Sequence, residues 1–130
     1  MAEDRVRLTI DSVEDAAAPA RVTGAGLAFR LGLPYQSVED FRVAVDAAVT
    51  LASSYLESPL QVIFTLDSDR LCLELCSETS DTGDRASAPD AGALRAFEAV
   101  VGELVAVQHV DDQGSIHLVV EKLAEPEAPK

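Results

Sequence analysis

The chain has 130 residues, of which 48% are hydrophobic, and a formal net charge of −13. These values predict one autonomous domain with a substantial core and exclude a disordered chain. A field of this sign repels phosphate groups, so direct binding to nucleic acid or to an anionic membrane is not expected, whereas a basic protein partner is favoured. An equally simple interpretation is that the acidity only keeps a small protein in solution.

The cysteines and histidines do not indicate a metal or redox site. Cys72 and Cys76 are four positions apart in one predicted strand, which separates them by about 13 Å and excludes a disulfide between them. His109 and His117 lie on different predicted strands, without further ligands nearby. Both pairs are therefore predicted to be structural.

No apolar run approaches the roughly 18–20 residues of a membrane span, and the first residues do not have the pattern of a signal peptide. These observations predict a cytoplasmic protein.

The first half of the chain predicts one strand and two helices. Apolar residues alternate over Arg5–Asp11, which predicts a strand, and a helix is expected from Ala17 to Leu31 with Gly32 as its stop signal. A second helix is predicted with Ser37 as its N-cap. Its buried face is expected to consist of Phe41, Val45, Ala48 and Ala52.

The second half predicts two hairpins around a third helix. Strands are expected over Leu60–Leu66 and Leu71–Leu75, followed by a polar segment and a helix over Ala91–Leu104. The last hairpin is predicted from Val105–Val110 and Ser115–Lys122. The buried stripe of the third helix is expected to consist of Leu94, Phe97, Val100, Val101 and Leu104.

The predicted order is β-α-α-β-β-α-β-β, and every strand has a single apolar face. This pattern predicts an α/β (α+β) two-layer sandwich with helices on one face of a mixed, mostly antiparallel sheet. Residues 1–123 are expected to form the domain and residues 124–130 a disordered tail.

The outward face of the sheet is predicted to be less polar than a plainly solvated surface. A partner or a second subunit could cover it, although scattered exposed apolar residues are normal. The outward residues are expected to be Arg5, Arg7, Thr9, Gln61, Ile63, Thr65, Cys72, Glu74, Cys76, His117 and Val119.

Two regions of the chain carry a family resemblance. Tyr35–Ala48 is similar to the second helix of the histidine-kinase-like (GHKL, Bergerat-fold) ATPases, and Ala93–Val100 with Gly114–Leu118 is similar to their last helix and hairpin. Within that family the chain most resembles the bacterial anti-sigma factor serine kinases of the RsbW type. The resemblance extends from Arg5 to Leu123 and implies the GHKL fold.

The resemblance places the catalytic positions of the second helix on residues that cannot do the chemistry. The family has a Glu as general base and, four residues later, an Asn that holds Mg²⁺. These roles fall on Ala47 and Leu51. A shift of one residue offers Asp46 and Thr50 instead, but it rotates the helix by about 100° away from its apolar face.

The remaining nucleotide motifs are also altered. The adenine-recognising Asp of the family falls on Ser77, with Thr79 at the following glycine position, and Asp81-Thr82-Gly83 resembles the missing motif but is displaced into the loop. The glycine-rich turn over the phosphates reads Ala91–Leu94 and keeps only Gly92. Each added methyl group obstructs close approach of the backbone to a phosphate.

The resemblance therefore implies a non-catalytic regulator that binds a sigma factor or an anti-anti-sigma protein. No cofactor is expected, although weak binding of ATP or ADP with Mg²⁺ stays open. Two alternatives are an active ATP-binding serine/threonine-kinase anti-sigma factor with unusual motifs, and an unrelated structural or dimerisation module. The resemblance also implies a homodimer through the first strand and first helix, where Gly24 and Gly26 mark either the interface or tight internal packing.

Overall fold

A computed structural model describes residues 3–77 and 88–122 of the chain. Thr79, the Asp81-Thr82-Gly83 motif and the predicted tail lie outside these residues. A short 3-10 turn at Val13–Asp15 precedes the first helix. The other elements are β1 (Asp4–Ile10), α1 (Ala17–Leu31), α2 (Tyr35–Ser53), β2 (Leu60–Leu66), β3 (Arg70–Ser77), α3 (Ala91–Val101), β4 (Val107–Val110) and β5 (Ile116–Glu121).

The five described strands form one sheet in the order β1-β2-β3-β5-β4. Every neighbouring pair is antiparallel, so the α+β class is confirmed but the expected mixed sheet is wrong. The reason is the number of intervening elements. Two helices separate β1 from β2, and α3 with β4 separates β3 from β5, so the chain returns each time in the opposite direction.

The core lies between the sheet and the helices. Helices α1 and α2 pack together and contact the central strands, while α3 packs against α2. The predicted buried face of α2 is confirmed, because all four of its residues are fully buried. The largest fully buried side chains are Phe41, Phe64, Leu60, Leu71, Leu73, Leu75, Ile116, Leu118, Val45, Val62 and Val101.

The two glycines inside α1 have different surroundings. A Cβ atom added to Gly24 would lie 3.2 Å from Cε2 of Phe41 and 3.2 Å from Cε1 of Phe64. Gly24 thus allows α1 to approach α2 and the sheet closely. Gly26 has nothing within 4 Å of the same position. The predicted stop at Gly32 is confirmed, since this residue adopts φ 98°, which side chains disfavour.

Helix α2 begins earlier than predicted, and the assignment of Ser37 as its N-cap is wrong. The N-cap is Pro34, whose extended backbone (φ −61°, ψ 158°) precedes Tyr35 as the first helical residue. Leu33 and Val38 occupy the two positions of a hydrophobic staple, and both are buried. Burial of this pair determines where the helix starts, and Ser37 lies inside the first turn.

Helix α3 ends at Val101, before the predicted Leu104. Its beginning is stabilised by Asp90, whose carboxylate accepts hydrogen bonds from the backbone N–H groups of Gly92 and Ala93. Val100 was expected to be buried but is 49% exposed. This correction follows from packing, because α3 contacts α2 along one narrow face and leaves Val100 at its border.

The outer face of the sheet has the predicted composition. Cross-strand pairing aligns Arg7 with Ile63, Ile63 with Glu74, and Glu74 with His117. Gln61 also belongs to this face but is only 8% exposed. Its Nε2 donates to Thr9 Oγ1 at 2.9 Å.

Candidate functional site

A groove of about 480 Å³ separates helices α2 and α3. The α2 side contributes two apolar side chains at the surface, three polar ones and a deeper leucine, and the α3 side is entirely apolar. The lining residues are Val43, Asp46, Ala47, Thr50, Leu51, Ser54, Ala93, Ala96, Phe97 and Val100.

The groove exists because small side chains face each other where larger ones would close the gap. Ala47 on α2 and Ala93 with Ala96 on α3 leave space that the bulkier residues around them do not fill. Leu51 and Phe97 are each only 4% exposed and form the base. The two borders consist of half-exposed valines, one from each helix.

The structure brings both candidate registers of the second helix into this groove. Ala47 and Leu51, at the positions of the general base and the metal ligand in the resembled family, line it, and so do Asp46 and Thr50. Lining the groove does not assign the catalytic roles to either pair, so the choice of Ala47 and Leu51 over Asp46 and Thr50 stays a prediction. The groove is wide enough to include two adjacent faces of α2.

The polar groups of Asp46 and Thr50 already have partners within the protein. Arg21 Nη1 donates to Asp46 Oδ1 at 2.9 Å, which joins α1 to α2. Thr50 Oγ1 donates to the backbone carbonyl of Asp46 at 2.9 Å. One carboxylate oxygen of Asp46 and the hydroxyl proton of Thr50 are thus engaged in hydrogen bonds. The lone pairs of the Thr50 hydroxyl oxygen stay available.

Ser77 and Gly92 are not among the residues that line the groove. The Ser77 hydroxyl accepts a hydrogen bond from the backbone N–H of Glu57 at 2.9 Å, which ties the end of β3 to the segment after α2. Gly92 lies in the first turn of α3, where an added Cβ would meet only Asp90 Oδ2. The proposed adenine and phosphate positions are therefore not assembled with Ala47 and Leu51 around one cavity of the described residues.

A second, polar pocket of about 330 Å³ adjoins the groove and shares Val43 and Asp46 with it. It is completed by Arg21 and Arg42. Arg42 pairs with Glu39 at 3.2 Å, so each arginine of this pocket has a carboxylate partner.

The two histidines lie opposite each other on the paired strands β4 and β5 and are not among the residues that line the groove. The rings of His109 and His117 have centroids 5.9 Å apart, and His117 Nε2 lies 2.8 Å from Asp111 Oδ2. Within residues 3–77 and 88–122, no group of three or more His, Cys, Asp or Glu side chains could hold a metal ion.

Both cysteines are free thiols on the outer face of the sheet. Partial burial raises the pKa of Cys72 and of Cys76, and nearby carboxylates add to this effect while arginines oppose it. A thiol whose pKa is raised stays protonated near neutral pH and is a weak nucleophile.

Sequence reasoning missed the half-exposed borders of the groove, Val43 and Val100. The periodic apolar pattern of α3 was assigned entirely to the core. The alanines at positions 93 and 96 were the available signal, because small residues on a helix face permit either close packing or an open cleft.

A membrane-spanning helix is absent from the part of the chain that the structure describes, where none combines the necessary length with sufficient hydropathy. Models of known protein families give no match to the sequence, and a search of curated proteins gives no significant relative.

Proposed function

We propose that the protein is a non-catalytic regulator of transcription that resembles the anti-sigma factor kinases and acts by binding a protein partner in the cytoplasm. The partner would be a sigma factor or an anti-anti-sigma protein. The observation that carries this proposal is the groove between α2 and α3. At the positions where the resembled family has a general base and a metal ligand, the groove is lined by Ala47 and Leu51.

The chemistry of the groove favours an apolar protein surface over a nucleotide. Six of its ten lining residues are Val, Ala or Phe, and Leu51 adds a further apolar side chain. Among residues 3–77 and 88–122, Asp46 is the one charged residue of the lining, and a carboxylate offers a triphosphate no attraction. Phosphate sites ordinarily combine close backbone N–H groups with a Lys or Arg, and within the same described ranges no basic side chain lines the groove.

A regulator without phosphoryl transfer would exchange its partners by mass action. In the proposed function, occupancy depends on the concentrations and affinities of competing partners, because no phosphorylation step resets the complex. Such a protein would hold or release its target according to how much of a rival is present.

The proposal includes a homodimer through the first strand and first helix. β1 lies at one edge of the described sheet, and α1 exposes Val22 and Phe29 on either side of Gly26, at 70% and 77% exposure. Gly24 is committed to internal packing, so Gly26 is the glycine that this interface would use.

A second candidate function is an active ATP-binding serine/threonine-kinase anti-sigma factor with unusual motifs. One observation favours it, because Asp46 and Thr50 line the groove one helical turn apart. In this alternative Asp46 would serve as the base and Thr50 would contribute an oxygen to Mg²⁺.

Calorimetric titration with ATP and with ADP, with and without Mg²⁺, distinguishes the two functions. We expect no binding heat at millimolar nucleotide, and no change when Asp46 is replaced in D46N. Micromolar, Mg²⁺-dependent nucleotide binding together with phosphoryl transfer to a protein substrate that D46N abolishes would contradict the proposed function and support the second one.

A further inference from the structure

We propose that the groove between α2 and α3 binds one amphipathic helix of a protein partner, with apolar residues on one face and Lys or Arg on the other. This inference rests on the proposed function and deepens it, because it identifies the recognition surface and the chemistry of the partner segment.

The length of the groove fits a short helix. Its α2 wall extends from Val43 to Ser54, which is three helical turns or about 16 Å at a rise of about 1.5 Å per residue. The α3 wall is formed by Ala93, Ala96, Phe97 and Val100, at the spacings of three and four that mark one helix face. A helix with anchors at i, i+3 or i+4, and i+7 can place them along such a groove.

The apolar surface of the groove is incomplete without an occupant. Val43 and Val100 are each 49% exposed at its two borders, above the almost buried Leu51 and Phe97. A helix seated between the valines would cover both borders and extend the core of the domain outward. An amphipathic helix that lays its apolar face into a hydrophobic groove is a recurring mode of peptide recognition.

Charge determines which kind of amphipathic helix is favoured. Beside the groove, Arg21 pairs with Asp46 and Arg42 pairs with Glu39, so these four charges largely balance. The chain as a whole has 23 acidic against 10 basic residues. Its field attracts a basic segment and repels an acidic one. A basic residue of the partner would also meet Asp46, the charged residue of the lining.

Binding of model peptides to the full-length protein tests this inference. The probe is a fluorescein-labelled amphipathic peptide of about 14 residues, or roughly four helical turns, built from Leu and Lys. A Leu/Glu peptide of the same length and a Leu/Lys peptide with the helical spacing scrambled serve as comparisons. We expect fluorescence anisotropy to show binding of the amphipathic Leu/Lys peptide and much weaker binding of the other two.

Two matched variants locate the binding. Val100 in the groove and Val107 on β4 are 49% and 48% exposed, and each is replaced by Glu. Added negative charge strengthens unspecific attraction of a basic peptide, so only damage to the groove can weaken binding. We expect V100E to lower the affinity by at least about tenfold and V107E to leave it unchanged or slightly higher.

A third variant, A96L, fills the groove without changing charge and should also weaken binding. Thermal unfolding of all three variants verifies that they are folded. If V100E does not fold, A96L still tests whether a change inside the groove weakens binding. Equal affinity of V100E, A96L and V107E would overturn the inference, as would equally tight binding of the scrambled peptide. Binding of decanoate that V100E abolishes, without peptide binding, would assign the groove to a small apolar ligand instead.

The two proposals fail in different ways. Nucleotide binding with phosphoryl transfer that depends on Asp46 contradicts the proposed function. Absence of both nucleotide binding and peptide binding leaves the proposed function in place and overturns only the assignment of the partner site to this groove.

Discussion

Asp111 organises the turn that joins β4 to β5. Its Oδ1 accepts hydrogen bonds from the backbone N–H groups of Gln113 at 2.9 Å and Ser115 at 3.0 Å, and its Oδ2 is hydrogen-bonded to His117. Partial burial acts to raise the pKa of Asp111, but the hydrogen bonds from His117, Ser115 and Gln113 outweigh it and lower the pKa. The ionised carboxylate is therefore part of the folded hairpin.

Replacing Asp111 by Ala should destabilise the protein by about 1–2 kcal/mol near neutral pH, because two backbone N–H groups and His117 lose their partner. The matched control is D112A, at the exposed neighbouring position, where we expect a change within about 0.5 kcal/mol. Urea unfolding followed by circular dichroism measures both values. Equal effects of the two substitutions would contradict this role of Asp111.

The effect of D111A should also depend on pH. A carboxyl whose pKa is lowered by folding stabilises the native state above its unfolded pKa, and this stabilisation is lost as the pH falls through its folded pKa. The stability difference between D111A and the original chain should be complete at neutral pH and shrink below the ordinary aspartate value of 3.8. A difference that stays constant into the acid range would show that the charge is irrelevant.

At the level of elements, local signals predicted the interior of each segment better than its ends. The bounds of α1 and β2 were predicted correctly, since a glycine stop and a clear alternation mark them. The start of α2 was predicted too late in the chain, because burial of Leu33 and Val38 outweighs the capping preference of Ser37. The strand β4 is shorter than its apolar run and begins at Val107, although Ala106 already donates a backbone hydrogen bond to Val119 of β5 at 2.8 Å.

The candidate site was only partly predictable for a related reason. The resemblance drew attention to Ala47 and Leu51, and both line the groove. Which face of α3 lies opposite depends on how two helices pack, and periodicity alone does not contain that information. Val100 shows the consequence, because its position in an apolar stripe is compatible with a core residue and with the border of a groove.

The glycines of α1 give a matched test of helix packing. In the monomer, G26A should stabilise the fold by about 0.5–1 kcal/mol, because alanine has the higher helix propensity and Gly26 has no neighbour within 4 Å of the added Cβ. G24A should be at least about 1 kcal/mol less stable than G26A, because its methyl group presses on Phe41 and Phe64. Thermal or urea unfolding of both variants decides, and equal stabilisation would contradict close packing at Gly24.

At the scale of the whole molecule, the open edge at β1 and the acidic net charge have opposite effects on self-association. An edge strand offers unpaired backbone groups to another copy, and β1 exposes such an edge along seven residues. The charge of −13 opposes the approach of further copies at neutral pH. Self-association is therefore expected to increase when this charge is reduced.

Light scattering as a function of pH tests this balance. We expect scattering to rise as the pH approaches the isoelectric value of about 4.3, where repulsion between copies disappears. The R7E variant places further negative charge on β1 and should move the onset to lower pH. Scattering that is independent of pH, or an unchanged onset in R7E, would contradict a role of charge in keeping copies apart.

The hydrogen bond that Tyr55 donates to the carbonyl of Gly114 at 2.7 Å has a practical consequence. The chain has no tryptophan and two tyrosines, so replacing Tyr35 by Phe leaves one intrinsic fluorophore next to Ser54, at the end of the groove. Burial, with a smaller contribution from Asp111, raises the pKa of Tyr55 to about 12, which keeps the phenol protonated throughout the neutral range. Its emission then reports, without an attached dye, whether the end of α2 stays in contact with the turn between β4 and β5.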